Sequence, residues 1–148
     1  MAICPFCKTE DCETAYHELT FRTLQAGDPA FMHQHAVDAY AAQHAHPGIP
    51  TIGPFFALAG LYLALEKGFT GREVQMAHMA MAKRKGEFGG WPTFHPPESR
   101  GEVTVRDMLR AEPLDVALHG WMKSVWAGWE QEQTGVREAT DRLVTRRG

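Results

Sequence analysis

Pro54-Phe55-Phe56-Ala57-Leu58-Ala59-Gly60-Leu61-Tyr62-Leu63-Ala64-Leu65 decides the fold class. A helix built on this stretch is apolar nearly all round, and such a helix belongs in the middle of a bundle, with neighbours on every side. The run is far shorter than the roughly 20 apolar residues that a membrane-spanning helix needs. Gly68 closes it. Beyond it, Thr70-Gly71-Arg72-Glu73 fits a capping box, and Met and Ala residues as far as Met81 suit the next helix. Lys83, Arg84 and Lys85 then complement the last carbonyls of that helix.

Working back from the central stretch, Pro47-Gly48 stops an earlier helix that runs from Pro29 to about His46, with Asp28 as its cap and proline at the first helical position. Before it, Asp11 caps a first helix over Cys12 to Gln25, with Tyr16, Leu19 and Leu24 as its apolar side chains and Gly27 as its end. Working forward, residues 86–102 are rich in glycine and proline and read as a long loop, part of which returns to the body through Trp91, Phe94 and His95. Thr104-Val105-Arg106-Asp107 starts a short helix. After Pro113 a long one extends to Val144, its inward face being Leu118, Met122, Val125, Trp129, Glu132, Val136, Ala139 and Leu143. No stretch reads as a strand and no repeat is present. The expectation is an all-α fold: a single-domain helical bundle over residues 1–148 with an N-terminal cysteine-rich loop, residues 1–12.

Composition narrows the function. With 44% hydrophobic residues in a 148-residue chain there is enough apolar material for a sizeable core. Fifteen Lys and Arg against 18 Asp and Glu leave a net charge of −3. That excludes the basic footprint from which nucleic-acid binders draw most of their affinity. The N-terminus lacks the basic start and long apolar stretch of a secretory signal, so a cytoplasmic protein is expected, with neither nucleic acid nor membrane as partner.

All three cysteines, Cys4, Cys7 and Cys12, fall in the first 12 residues. An odd number packed so closely is a poor disulfide framework, and no βαβ pattern follows to make Cys4-Pro5-Phe6-Cys7 a redox motif. Metal binding is the better reading: a tight Cys-x-x-Cys turn supplies two of the four ligands of tetrahedral zinc, and Cys12 a third. His17 completes a C-x2-C-x4-C-x4-H spacing, but it lies more than a turn into the first helix on a different face from Cys12. The loop joining the first two helices is short, so they form an antiparallel hairpin that brings residue 12 beside residue 43. His44 and His46 therefore also come within reach. The set Cys4, Cys7, Cys12 and His44 would be closed to substrate and structural, with zinc as the cofactor.

His33, Val37, Tyr40 and His44 share one face of the second helix. Eleven residues rise about 16 Å, so His33 and His44 mark two different places. Glu132 interrupts the apolar face of the last helix and requires a partner. His33, His78, His95, His119 and Arg22 are the candidates for that partner; a pocket holding His33 and Glu132 would be a second site, as a metal or acid–base pair, and the plainer reading is a core histidine and a carboxylate satisfied by hydrogen bonds to neighbours. Trp121, Trp126 and Trp129 read as core rather than a ligand cage, and the methionines Met32, Met76, Met79, Met81, Met108 and Met122 as core filler.

Several pieces together resemble an uncharacterised bacterial family, a domain of unknown function. They are Cys-Pro-x-Cys at the start, Val37-Asp38-Ala39-Tyr40-Ala41-Ala42-Gln43-His44, Leu63-Ala64-Leu65-Glu66-Lys67-Gly68, the Pro96-Pro97 loop, Val103-Thr104-Val105-Arg106-Asp107-Met108-Leu109, and Ser124-Val125-Trp126-Ala127-Gly128-Trp129. The resemblance implies an architecture and no activity. It places histidines near positions 132 and 133, where this chain has Glu132 and Gln133, and Gln-His-Pro where this chain inserts Ala45-His46 before Pro47.

The function expected from the sequence is therefore that of a metal-binding helical protein whose zinc site is structural. Its role would be to bind a small-molecule ligand or a protein partner; a homodimer through an exposed apolar face is a further expectation. The alternative is a metal-dependent enzyme similar to the bacillithiol-transferase (DinB-like) type of helical bundle, or a hydrolase, centred on His33 and Glu132.

Overall fold

In the computed structural model, residues 3–88 and 90–144 are described. Their helices are α1 (Cys12–Gln25), α2 (His33–Gln43), α3 (Ile52–Lys67), α4 (Gly71–Ala82), α5 (Leu114–Gly128) and α6 (Gln133–Leu143). Short 3₁₀ turns occupy Lys85–Phe88, Val105–Met108 and Glu130–Glu132. No strand is present among the described residues; one isolated bridge pairs Ile3 with Glu10. The fold is all-α, as the sequence implies.

The apolar stretch is the hub. Helix α3 is the element against which α2, α4, α5 and α6 all pack, and Phe55 and Ala57–Leu63 are buried. Its small residues allow close approach: a Cβ at Gly60 would lie 2.6 Å from the Asp38 Cγ of α2. Gly68 ends the helix at φ 72°, a conformation that glycine adopts without strain. The capping box at the start of α4 is present, with Thr70 Oγ1 accepting from the Glu73 N–H and Glu73 Oε1 accepting from the Thr70 N–H. Among the described residues no helix is long and apolar enough to cross a membrane.

Four expectations need correction. Helix α2 begins at His33, not at Pro29. Asp28 instead folds a turn by accepting the N–H groups of Ala30 and Met32, both at 2.9 Å, and Phe31 sits at φ 60°. That turn docks α4: the Arg72 N–H donates to the Ala30 carbonyl at 2.7 Å, and Gly71 presses on the Phe31 carbonyl where no side chain would fit. Second, Asp11 precedes α1 at φ 52° without a side-chain cap bond, and Leu24 is half exposed.

Third, the long C-terminal helix is two. A helix over residues 114–144 would span about 46 Å, against about 24 Å for α3, and would run off the bundle. The chain breaks at Trp129, whose Nε1 donates to the Ala42 carbonyl, so that α5 packs on α2 and α6 returns to α3. The apolar stripe survives the break: Leu118, Met122, Val125, Trp129, Val136, Ala139 and Leu143 are all buried. Fourth, Met76 and Met79 face outward rather than filling the core. The Arg84 guanidinium reaches α6, donating to the Leu143 carbonyl.

Within the expected loop, residues 90–102 return to the body, with Trp91 and Phe94 against Phe55 at ring separations of 6.0 and 5.9 Å. The three late tryptophans are core residues.

Candidate metal centre

The cysteines lie on a turn built by the backbone. The Cys4 N–H donates to the Thr9 carbonyl and the Lys8 N–H to the Cys4 carbonyl, each at 2.9 Å, and Lys8 takes φ 63°. This reversal points the Cys4 and Cys7 side chains the same way, and the Phe6 N–H donates to the Cys4 Sγ at 3.4 Å. Arg106 ties the turn to the bundle by donating to the Glu10 carbonyl. The left-handed Asp11 then swings the chain into α1, whose first residue is Cys12.

The fourth group comes from the far end of the helical hairpin. Helices α1 and α2 lie side by side, and His44 follows the last residue of α2. One donor atom from each of Cys4, Cys7, Cys12 and His44 lies within 4.8 Å of the others, and among the described residues this is the one such gathering of three or more potential ligands. The imidazole is oriented for the purpose. Its Nδ1–H donates to the Tyr40 carbonyl at 2.7 Å, which fixes the tautomer and leaves a bare lone pair on Nε2. That Nε2 is buried and has no hydrogen-bond partner. A buried acceptor left bare costs about 1–3 kcal/mol, and its place among three sulfurs is compatible with a metal site. Tyr40 supports the arrangement twice, stacking on His44 at 4.1 Å and donating its hydroxyl to the Cys12 Sγ at 3.8 Å.

The electrostatics are uneven. Burial pushes the Cys12 thiol up to about 11, against the lowering effect of the Tyr40 hydroxyl. Burial also works to raise Cys4, but the backbone N–H groups of Cys7 and Phe6 and the neighbouring thiols outweigh it and bring Cys4 below its ordinary value. His44 is lowered by burial, which keeps it neutral at physiological pH. Positive charge arrives from Arg100, 8% exposed, whose guanidinium lies 4.8 Å from the Phe6 ring centroid. Arg100 donates to the carbonyls of Pro97, Gln43 and Ala45, and so fastens the long loop to the end of α2.

A family described as "Family of unknown function (DUF5946)" matches residues 2–130. The chain belongs to DUF5946. No curated protein and no solved structure matches it. The DUF5946 match takes in all four members of the cluster and stops short of Glu132, so membership brings no activity with it.

The other candidates from the sequence fall elsewhere in this DUF5946 chain. His46 stacks flat on Phe6 at 5.5 Å, and its Nδ1 accepts from the Gly48 N–H, which puts the proton of the neutral ring on Nε2; it is beside the cluster but not in it. His17 is exposed on α1 and also outside the cluster. His33 and Glu132 are not brought together. His33 opens α2 at the opposite end from His44 and shares a hydrogen bond with Thr23 at 2.8 Å. Glu132 accepts from the His95 N–H and lines a cavity of about 410 Å³ with His46, Pro54, Phe94 and His95. The carboxylate's partner is thus backbone from the long loop, and the pair expected as a second site is two separate structural contacts. Sequence reasoning missed Arg100 and Phe6. A single arginine in a Gly/Pro-rich loop carries no periodic signal, and only the fold brings it to residue 6.

Proposed function

We propose that Cys4, Cys7, Cys12 and His44 hold one zinc ion at a closed, structural site, and that this staple shapes a binding domain for a small ligand or partner protein. Three thiolates and one imidazole form a tetrahedral set of the soft and borderline type that zinc takes, with no position left open for substrate. The observation that carries the reading is the buried, unpartnered Nε2 of His44 among three sulfurs. The free energy of metal binding becomes folding free energy for the N-terminal turn, which has little apolar surface of its own. The stapled turn also places Phe6 against His46, and His46 walls the 410 Å³ cavity, whose lining includes four prolines and Phe94 beside the polar Thr51, Thr93, His95 and Glu132. That cavity is the place for a small ligand. Thiols kept reduced as zinc ligands suit a cytoplasmic protein. The enzyme alternative centred on His33 and Glu132 lacks support, because its two residues lie in different environments.

Plasma mass spectrometry of tag-free protein, with a Cys4→Ser variant alongside, tests the proposal. One zinc per chain is expected, lost in the variant together with several degrees of melting temperature. A protein without metal, or one whose metal survives Cys4→Ser, overturns it.

A further inference from the structure

The cavity of about 410 Å³ carries a chemical preference beyond its size. Pro47, Pro54, Pro92 and Pro96 stand in its lining, and a proline has no backbone N–H to give. Ile49 and Phe94 add apolar wall, and the Phe94 ring packs on Phe55 of the core. Thr51 and Thr93 bring hydroxyls, which serve a donor and an acceptor alike. Glu132 is the one acidic residue of the lining, and neither lysine nor arginine belongs to it.

The fold uses half of that carboxylate. Oε1 accepts the His95 N–H at 2.6 Å and so holds the returning loop against the turn before α6. Oε2 accepts no hydrogen bond among the described residues, and no ion pair reaches the side chain. The arginine of the same loop is committed elsewhere: Arg100 gives its guanidinium to the carbonyls of Pro97, Gln43 and Ala45. His46 is also held, its Nδ1 accepting from the Gly48 N–H and its ring stacked on Phe6. Glu132 is half-buried, where a charge is screened less than on the open surface. A carboxylate oxygen without a donor therefore lines a cavity poor in donors. Among the described residues Glu132 belongs to no gathering of metal ligands, which favours an organic cation over a metal ion.

We propose that this cavity binds a small organic cation, a primary or secondary amine on a compact apolar body, with the ammonium on Glu132 and the body against Ile49, Phe94 and the prolines. The inference rests on the reading of this cavity as the ligand site and adds the class of ligand. An ammonium supplies the donors that Oε2 lacks, through a charge-assisted hydrogen bond roughly twice as strong as a neutral one. An anion would meet the like charge of Glu132 and find no lysine, arginine or proline N–H to hold it. The volume stands near the lower end of the roughly 300–1,000 Å³ of small-molecule sites, which suits a compact ligand.

The test titrates the isotope-labelled protein with benzylamine, benzyl alcohol and benzoate at neutral pH and follows the amide resonances of Ile49, Thr51, Thr93 and His95. Benzylamine should shift them saturably, benzyl alcohol at least about tenfold more weakly, and benzoate not at all. Glu132→Gln keeps an oxygen to accept the His95 N–H, so the melting temperature should hold while the benzylamine affinity falls about tenfold or more, toward that of the alcohol. Equal affinities of the wild-type chain for amine and alcohol overturn the cation and leave the cavity a ligand site, and so does benzylamine binding indifferent to Glu132→Gln. The amine and alcohol comparison needs no variant, so it decides even if the substitution unsettles the loop. If none of the three compounds shifts these amides, the cavity reading fails and the cation with it.

Discussion

Replacing Arg100 by methionine removes a guanidinium that donates to the Gln43, Ala45 and Pro97 carbonyls at 3.0, 2.8 and 2.6 Å. Gln43 and Ala45 are fully buried, so water does not readily replace the lost donors. Each buried acceptor left bare costs about 1–3 kcal/mol, which gives about 2–6 kcal/mol for these two. Loss of the cation over the Phe6 ring adds about 0.5–2 kcal/mol. Methionine retains much of the apolar stem, so a loss on the order of 3–6 kcal/mol is expected, a large part of the 5–15 kcal/mol of a typical domain. Zinc affinity is the second readout. Three thiolates around a divalent ion sum to one negative charge, and the Arg100 guanidinium interacts by charge with Cys4 and His44. Losing it should weaken zinc by about 10–100-fold. Arg100→Lys separates the two effects: the charge returns, but a point donor cannot reproduce the fork. Urea unfolding should place Lys between wild type and Met, while chelator competition should place it near wild type. A methionine variant within about 1 kcal/mol of wild type would refute the carbonyl argument. Equal zinc affinities for Lys and Met would refute the charge argument.

The same substitution at two glycines should have opposite signs. Gly60→Ala forces a methyl group into the Asp38 carboxyl and against Val74, at a cost of about 1–3 kcal/mol by urea unfolding. Gly120→Ala, in the exposed middle of α5 with nothing within 4 Å, should stabilise by about 0.5–1 kcal/mol, and equal effects at the two sites would count against the packing described for α2 and α3. Acid should weaken the fold through His78. Burial lowers its folded pKa below the ordinary 6.5, so the unfolded chain binds more protons between the two values; the stability it contributes is full above about pH 6.5 and lost as pH falls toward the folded value. The urea midpoint should fall between pH 7.5 and 5.5, less steeply in His78→Gln, and identical slopes for the two proteins would contradict this account.

The cysteine end of the site was legible because its signals are local or follow from a short connection. Three cysteines in nine residues announce a metal loop, and a tight helical hairpin places residue 12 beside residue 43. The choice of His44 over His46 was not legible. Both are within reach, and the decision rests on which ring nitrogen the backbone occupies: the Tyr40 carbonyl takes Nδ1–H of His44 and frees Nε2, whereas the Gly48 N–H takes Nδ1 of His46. The separate settings of His33 and Glu132 were not legible for a related reason. A helical stripe tells that Glu132 faces inward, but its partner is a backbone N–H from a loop without periodicity.

By itself the sequence determined the all-α class, the central helix, the capping box at Thr70 and the inward stripe through residues 118–143, since composition and periodicity of 3.6 residues act within a single helix. Only the tertiary structure decided where that stripe breaks, which histidine turns a bare nitrogen to the cysteines, and that Arg100 stands over Phe6. Those outcomes depend on the length of neighbouring helices and on hydrogen bonds between residues more than 50 positions apart, which no local pattern encodes.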